Sequence, residues 1–282
     1  MVEEIKQQLA GYYSSRSGTY DTESDFHPRL AQHLVAQANP QPGQQVVDMA
    51  TGTGLVAIAV ASRVGPQGFV LGLDFAEDMI QQAQRKKKTL NLQNIEFRLA
   101  DVETVSLPAA AFDQVLCCSA LVLLSDIPAA LKHWQRLLKP GGCLAVNGFS
   151  EYAFVASMVM NRVAARYGVT LRAWNHPTGT PERFRRLLET AGFTDIQITA
   201  KQFGGYLSLA DLKKWWRLPS DRPNPFDRPL LALSETQLQQ LQQEYFAELE
   251  AIATPQGVWN DITAYTALCH KSDTHLKEHS PD

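Results

Sequence analysis

Two aspartates that end successive apolar runs, with a turn of small residues after the first, are the residues most suited to chemistry. Asp48 lies in the segment VVDMATGTG, and the helical run Leu55–Val60 follows the turn Gly52–Gly54. Asp74 ends the next apolar run, after an interval that accommodates one helix and one return strand. An acid at a strand end, next to a turn that lets the backbone approach a ligand, is how an open α/β sheet binds an adenosine-bearing cofactor. We expect Asp74 to accept hydrogen bonds from both ribose hydroxyls.

Two cofactors compete for this turn. Gly52, Gly54 and Ala57 also match the G-x-G-x-x-A fingerprint of dinucleotide-binding proteins, and Asp74 follows at the spacing that the fingerprint requires. Asp48 discriminates between them, because a carboxylate repels a pyrophosphate and attracts an ammonium group. S-adenosylmethionine carries an ammonium group and no phosphate. The pattern therefore favours S-adenosylmethionine, with an NAD(P)-dependent oxidoreductase as the alternative.

A third strand is predicted over Asn94–Leu99, and another acid follows it. Asp101 and Val102 would then lie at the next carboxyl edge of the sheet. The exocyclic amine of adenine can donate to the Asp101 carboxylate while a ring nitrogen accepts from a backbone amide near Val102, and Phe75 can cover one face of the ring. These residues predict the adenine subsite.

With these segments assembled, the chain resembles the class I S-adenosylmethionine-dependent methyltransferases, and within them the small-molecule branch that includes the ubiquinone and menaquinone C-methyltransferases. The resemblance covers about residues 25 to 200. Its segments are, in the family order, DMATGTG from Asp48, GLD ending at Asp74, ADV around Asp101, FD from Phe112 and LLKPGG from Leu137. Together with the turn residue Gly54, the cofactor contacts that this resemblance implies are Asp48, Ala50, Gly52, Thr53, Asp74, Phe75, Met79, Asp101, Val102 and Cys118.

Two departures from the family pattern have consequences. Ala50 stands where many members have the first glycine, which is tolerable if its φ stays negative. The residues Cys118–Leu121 stand where some members have Asn-Pro-Pro-Tyr. The absence of that tetrapeptide argues against methylation of a planar amide or of an exocyclic base nitrogen.

Composition narrows the class of protein further. The chain has 282 residues, 45% of them apolar, and a formal net charge of −3. No extended basic stripe is present, so we expect no nucleic-acid partner. The four cysteines show neither metal-ligand spacing nor a disulfide framework, and we predict no metal. No apolar run is long enough to span a membrane, and the amino terminus is too polar for a signal peptide, which predicts a cytoplasmic protein. The oligomeric state does not follow from the sequence.

The predicted fold is an α/β, Rossmann-like, seven-stranded and mostly parallel sheet with helices on both faces. A helical cap over residues 1–40 precedes a cofactor-binding core over 41–205. Residues 206–257 are predicted to form a helical insertion or lid, 258–270 the final strand of the core sheet, and 271–282 a mobile tail.

Methyl transfer from a sulfonium requires mainly that an acceptor be held in line with the methyl group, with a base for some acceptors. His27 and His176 are candidates for a base or an orienting residue, against capping or loop-anchoring roles. Tyr13, Tyr20, Trp215 and Trp216 are candidates for a lid over the substrate, against plain core packing. The aromatic insertion predicts a small, mostly apolar acceptor, and a non-catalytic cofactor-binding protein remains a further alternative.

Overall fold

The computed structural model describes residues 2–216 and 225–272, without the side chain of Trp215. Seven strands form one sheet in the order β3-β2-β1-β4-β5-β9-β6. This arrangement confirms the predicted fold class. The strands are β1 (Gln45–Met49), β2 (Phe69–Asp74), β3 (Ile95–Leu99), β4 (Phe112–Cys117), β5 (Leu138–Phe149), β6 (Phe193–Gln202) and β9 (Thr263–Lys271).

The reversal of strand order at β1 and β4 determines where a ligand binds. Strands β1 to β5 pair in parallel, and Asp48 lies in register with Gly72 of β2 and Leu116 of β4. Only β9 runs against its two neighbours, β5 and β6. In such sheets the crevice at the carboxyl ends of the central strands is the binding position. The acids that end β1 and β2 therefore face one crevice.

Helices cover both faces of the sheet because alternate strand residues point to opposite sides. Val46 and Leu116 pack under the helices of one face, and Val47 and Val115 under those of the other. The first face carries α2 (Phe26–Ala38), α3 (Leu55–Val64) and α4 (Glu77–Thr89), and the second carries α5 (Ile127–Leu137) and α7 (Pro181–Thr190).

A separate hydrophobic core unites three further helices. These are α6 (Val155–Arg166), α8 (Leu209–Trp215) and α9 (Glu235–Ala251), with β7 (Gly205–Leu207) paired to β8 (Val258–Asn260) beside them. Arg162 and Arg166 of α6 form ion pairs with Glu248 of α9. We call these elements the helical subdomain.

Several predicted boundaries are wrong. Residues 258–260 do not start the final core strand, because β8 pairs with β7 in a two-stranded sheet and β9 begins at Thr263. The predicted cap is also smaller than expected, since α2 packs into the core and only α1 (Val2–Arg16) remains outside it. Most of the predicted tail, 273–282, lies outside the described residues.

Candidate functional site

Asp48 is a buried carboxylate at the end of β1. Its Oδ2 accepts a hydrogen bond from the hydroxyl of Thr51 at 2.6 Å, while its Oδ1 is buried without a hydrogen-bond partner of ordinary geometry. Burial raises the pKa of Asp48 to about 7, against the opposing effects of the Thr51 hydroxyl and the Ala57 backbone N–H. A buried carboxylate oxygen with unused acceptor capacity is suited to an ammonium group or an ordered water.

The turn after Asp48 holds three left-handed residues. The φ angles of Ala50, Gly52 and Gly54 are 55°, 56° and 82°. The expectation that Ala50 keeps a negative φ is therefore wrong, and its methyl group carries a conformational penalty of about 1 kcal/mol or more. A Cβ at Gly54 would come within 2.8 Å of the Phe97 ring, whereas the space that a Cβ at Gly52 would enter is open. The backbone at Gly52 is thus accessible to a ligand.

Asp74 fixes this turn from the neighbouring strand. Its Oδ2 accepts from the backbone N–H of Gly52 at 2.8 Å, and its Oδ1 accepts from the N–H of Ala76 at 2.8 Å. Burial raises the pKa of Asp74 against these backbone donors. Each oxygen retains a second lone pair, so the carboxylate can still accept from a diol.

The helix that follows the turn adds a complementary feature. Gly54, the residue before α3, provides no side-chain cap, so the first N–H groups of this helix lack that partner. A helix N-terminus attracts a carboxylate, and the free Oδ1 of Asp48 attracts an ammonium group. The methionine end of S-adenosylmethionine carries both groups, and therefore these residues fit that cofactor.

The expected adenine subsite lies at the end of β3. Val102 is buried, and its carbonyl accepts from the indole N–H of Trp134 at 2.9 Å. Met79 is buried and Phe75 half-buried in the segments that follow β2. Asp101 already has a cationic partner, since its Oδ2 lies 2.7 Å from the Nζ of Lys6 in α1.

Asp21, in the N-terminal segment, contacts the cofactor turn. The carboxylate of Asp21 accepts from the Thr53 hydroxyl and pairs with the Nζ of Lys86 at 2.6 Å. Sequence reasoning missed Lys6 and Asp21, because both act on residues far away in the chain and neither belongs to a motif. Lys86 belongs to a short basic run in α4, and the pairing with Asp21 was not predicted from that run.

His27 and Tyr20 lie together at the start of α2. Their rings stack with centroids 4.2 Å apart, and the Tyr20 hydroxyl lies 3.2 Å from Nδ1 of His27. Burial and the positive charge of Arg16 lower the pKa of His27 to about 4, opposed by Asp21. Burial raises the pKa of Tyr20 well above its ordinary value. At neutral pH both side chains are therefore uncharged.

Three further residues were predicted to belong to the site: Tyr13, Cys118 and His176. Tyr13 contacts Tyr20 with ring centroids 6.3 Å apart, and Cys118 follows the end of β4 beside Phe149 and Phe154. His176 is exposed, makes no side-chain hydrogen bond to the described residues, and is not joined to His27 or Tyr20.

The surroundings of Trp216 favour the core-packing alternative over a place in a lid. Its ring packs inside the helical subdomain, with its centroid 5.5 Å from that of Tyr245. It was chosen for the aromatic character of its segment, and an aromatic residue has the same signature in a lid and in a core. The side chain of Trp215 lies outside the described part of the chain.

The fold and the acids that follow three consecutive strands define a Rossmann-like domain that binds a nucleoside cofactor. The chain belongs to the methyltransferase-domain family, whose profile matches residues 40–192, and it is an S-adenosylmethionine-dependent methyltransferase.

Similar curated proteins carry related names. Nocamycin O-methyltransferase of Saccharothrix syringae is 31% identical over 68% of this chain and 72% of that protein. Aklanonic acid methyltransferase DauC of Streptomyces sp. (strain C5) is 33% identical over 50% of this chain and 64% of that protein. The demethylmenaquinone methyltransferase of Geobacillus sp. (strain WCH70) is 28% identical over 63% of this chain and 82% of that protein.

Solved structures show the same fold. The YcgJ protein of Bacillus subtilis has a TM-score of 0.59 at 15% identity, over 87% of this chain and 99% of that one. Phosphoethanolamine N-methyltransferase 2 of Haemonchus contortus, in complex with S-adenosyl-L-methionine, has a TM-score of 0.53 at 16% identity, over 86% and 52%.

No helix in residues 2–216 and 225–272 is both long and apolar enough to cross a membrane. Over the same ranges, no group of three histidine, cysteine or acidic side chains is arranged to hold a metal ion.

Proposed function

We propose that this methyltransferase acts on a small, largely apolar acceptor bound beside the ends of β4 and β5. The observation that carries the proposal is a cluster of aromatic rings at that position. Phe26 contacts Phe149, the last residue of β5, at a centroid distance of 5.9 Å, and Phe154 at 6.1 Å. Cys118, which follows β4, packs against the same cluster. Most of these rings are buried in one apolar cluster, and an apolar wall of this kind suits an apolar small molecule rather than a polyanion, with which the net charge of −3 agrees.

The methyl donor is proposed to lie against the three acids already described. Asp48 would face the ammonium group, Asp74 the ribose and Asp101 the adenine amine, while the turn Gly52–Gly54 brings the backbone close. When bound, the cofactor supplies an activated methyl group on a sulfonium. The chain's own task is to hold the acceptor in line and to exclude water.

Tyr20 and His27 are proposed to orient the acceptor. The Tyr20 hydroxyl is held by His27, whose ring centroid lies 4.9 Å from that of Phe26. A histidine with a pKa of about 4 is a weak base at neutral pH, so an orienting role fits it better than proton removal. His176 is not included, because its exposed side chain contacts none of these residues.

The curated relatives are named for nocamycin, aklanonic acid and demethylmenaquinone, all small molecules, which supports the proposed acceptor class. We further infer a cytoplasmic location. All four cysteines are free thiols, which suits a reducing compartment.

The test is transfer of a radiolabelled methyl group from S-adenosylmethionine to aromatic and prenylated metabolites, followed by extraction into organic solvent. We expect labelled, extractable product and a decrease in kcat/KM of about tenfold or more in Tyr20→Phe and His27→Gln, from the loss of orienting hydrogen bonds. His270→Gln is the matched control, because His270 pairs with Cys143 at the opposite end of the sheet. Binding of NADH but not of S-adenosylhomocysteine, or equal losses in all three variants, would contradict the proposal.

A further inference from the structure

Arg172 is a cation near the carboxyl end of β4 that has no carboxylate partner within ion-pair distance among residues 2–216 and 225–272. Its guanidinium carbon lies 3.9 Å from the centroid of the Trp174 ring, and its Nη2 donates to the carbonyl oxygen of Leu124 at 3.5 Å. Leu124 closes the short 3₁₀ turn that follows β4. The guanidinium is therefore held in position by a ring and a weak hydrogen bond, while most of its five donors remain available.

Trp174 offers a second donor at the same place. Its indole Nε1 is buried and makes no hydrogen bond within the described part of the chain. A buried N–H without an acceptor is unfavourable unless a ligand or water supplies one. Arg172 and Trp174 thus present two hydrogen-bond donors, one of them charged, and neither has a strong acceptor.

A row of ring contacts connects this pair with α1, the helix whose Lys6 pairs with Asp101. The Trp174 ring contacts Phe226 at a centroid distance of 5.1 Å, and Phe226 contacts Tyr12 of α1 at 5.6 Å. Tyr12 contacts Tyr13, and Tyr13 contacts Tyr20. The row from Trp174 to Tyr20 is therefore aromatic, with Arg172 at one end and Arg16, which is paired with Glu23, over the rings at the other.

We propose that the acceptor is a flat, apolar molecule that carries one ionised acidic group, a carboxylate or an enolate, and that Arg172 and Trp174 bind this group. The inference rests on the proposed function and deepens it by naming the charge of the acceptor. A planar guanidinium with an adjacent N–H matches the two oxygens of a carboxylate. Of the two arginines beside this row, Arg16 is paired with Glu23, so Arg172 is the one with charge left for a ligand, and one such cation suits one negative charge better than the double charge of a phosphate ester.

The properties of His27 agree with this acceptor. Its pKa of about 4 makes it a weak base, as already noted. An acid that is already ionised in solution does not need a base to remove its proton. A weak base such as His27 is therefore sufficient when the acid itself, or an atom conjugated to it, receives the methyl group.

Binding of matched probes to the protein saturated with S-adenosylhomocysteine tests the inference. Naphthalene carboxylate and anthraquinone carboxylate are each compared with the neutral carboxamide of the same shape, by calorimetric titration. We expect each acid to bind about tenfold or more tightly than its amide, because it gains charge-assisted hydrogen bonds. Arg172→Gln should remove this preference and leave the amide affinity unchanged, and Arg172→Lys should restore part of it.

Two further variants separate the role of the site from general effects of charge. Trp174→Phe keeps a ring under Arg172 but removes the N–H, and we expect it to reduce the acid preference partly. Arg98→Gln removes an exposed cation from β3 that pairs with Glu96, and it should leave the preference intact.

The inference is overturned if no acid binds more tightly than its amide, or if Arg172→Gln weakens acid and amide equally. Failure of the proposed function looks different, because the protein would then not bind S-adenosylhomocysteine or transfer label to any acceptor. Transfer to neutral acceptors without a preference for acids would overturn this inference alone.

Discussion

The Nζ of Lys6 lies 2.7 Å from Oδ2 of Asp101 and 2.9 Å from Oε1 of Glu103. This contact connects α1, the first helix of the chain, with the carboxylate expected to receive the adenine amine. Attraction to both acids raises the pKa of Lys6 despite the opposing effect of burial, so the lysine is charged at neutral pH. A nucleoside that donates to Asp101 must therefore share this carboxylate with Lys6 or displace it.

Lys6→Met should open the cofactor site more readily. The substitution keeps a long side chain but removes both ion pairs, each worth up to about 1 kcal/mol at this partial exposure. We expect the association rate constant of S-adenosylhomocysteine, measured by stopped-flow fluorescence, to rise by about fivefold. Lys88→Met, at an exposed lysine of α4, is the control. An unchanged rate constant in Lys6→Met would show that α1 does not restrict entry.

Asp74→Ala should abolish tight cofactor binding. The variant loses the expected ribose contacts and also the acceptor for the N–H groups of Gly52 and Ala76. Two lost hydrogen bonds to a charged group predict an increase in Kd of about 100-fold or more for S-adenosylhomocysteine by calorimetry. Asp78→Ala, at an exposed acid in the first turn of α4, should bind normally. If circular dichroism shows a folded Asp74→Ala variant with ordinary affinity, the assignment of Asp74 is wrong.

Cofactor affinity should depend on pH through Asp48. Its pKa of about 7 in the folded protein, raised from 3.8, means that the carboxyl is largely protonated at pH 5 and must ionise to attract an ammonium group. Affinity for S-adenosylhomocysteine should increase as the pH rises through about 7, and decrease again at alkaline pH, where the α-amino group of the ligand loses its proton. Binding near pH 6 should also release a proton.

Titration calorimetry in buffers of different ionisation enthalpy measures that proton. Asp48→Asn should show neither the proton release nor the rise in affinity, whereas Asp78→Asn should retain both. A wild-type affinity that does not change between about pH 5 and pH 7 would contradict this role of Asp48.

Ala50→Gly should make the protein slightly more stable. The residue has a φ of 55°, and glycine adopts this conformation without the steric penalty that alanine incurs. Relief of this penalty, less the lost burial of a methyl group, predicts a gain of about 0.5 kcal/mol in the free energy of unfolding, measured by urea denaturation. Ala57→Gly, in the interior of α3, should instead lose about 1 kcal/mol or more. A loss of stability in Ala50→Gly would show that the penalty at this position is small.

The central sheet was predictable because its signals are local. Apolar runs that end in Asp48, Asp74 and Ala100–Asp101 specify three neighbouring strands, and the short turns between elements leave few ways to connect them. The predicted cofactor residues share a crevice because parallel strands bring their carboxyl ends to one edge. The individual contacts of these residues with the cofactor stay predictions.

The rest depends on tertiary packing that the sequence does not reveal. Residues 258–260 have the composition of a strand. Their partner, β7, is short and lies far from them in the sequence, so the sequence predicted the wrong sheet for them. The contacts of Lys6 with Asp101 and of Asp21 with Thr53 join residues that no periodicity relates. Arg172 also carried no sequence signal, because its importance lies in the partner that it lacks.

The central sheet has two sides with different roles, and β4 lies between them. Strands β1, β2 and β3 carry the acids expected to hold the methyl donor, whereas the helical subdomain arises from chain that leaves β5 and β6. The first excursion returns to the sheet as β6 and the second returns as β9. The residues proposed to hold the acceptor, among them Phe149 and Arg172, lie outside these three donor strands, so they can change without altering the donor side.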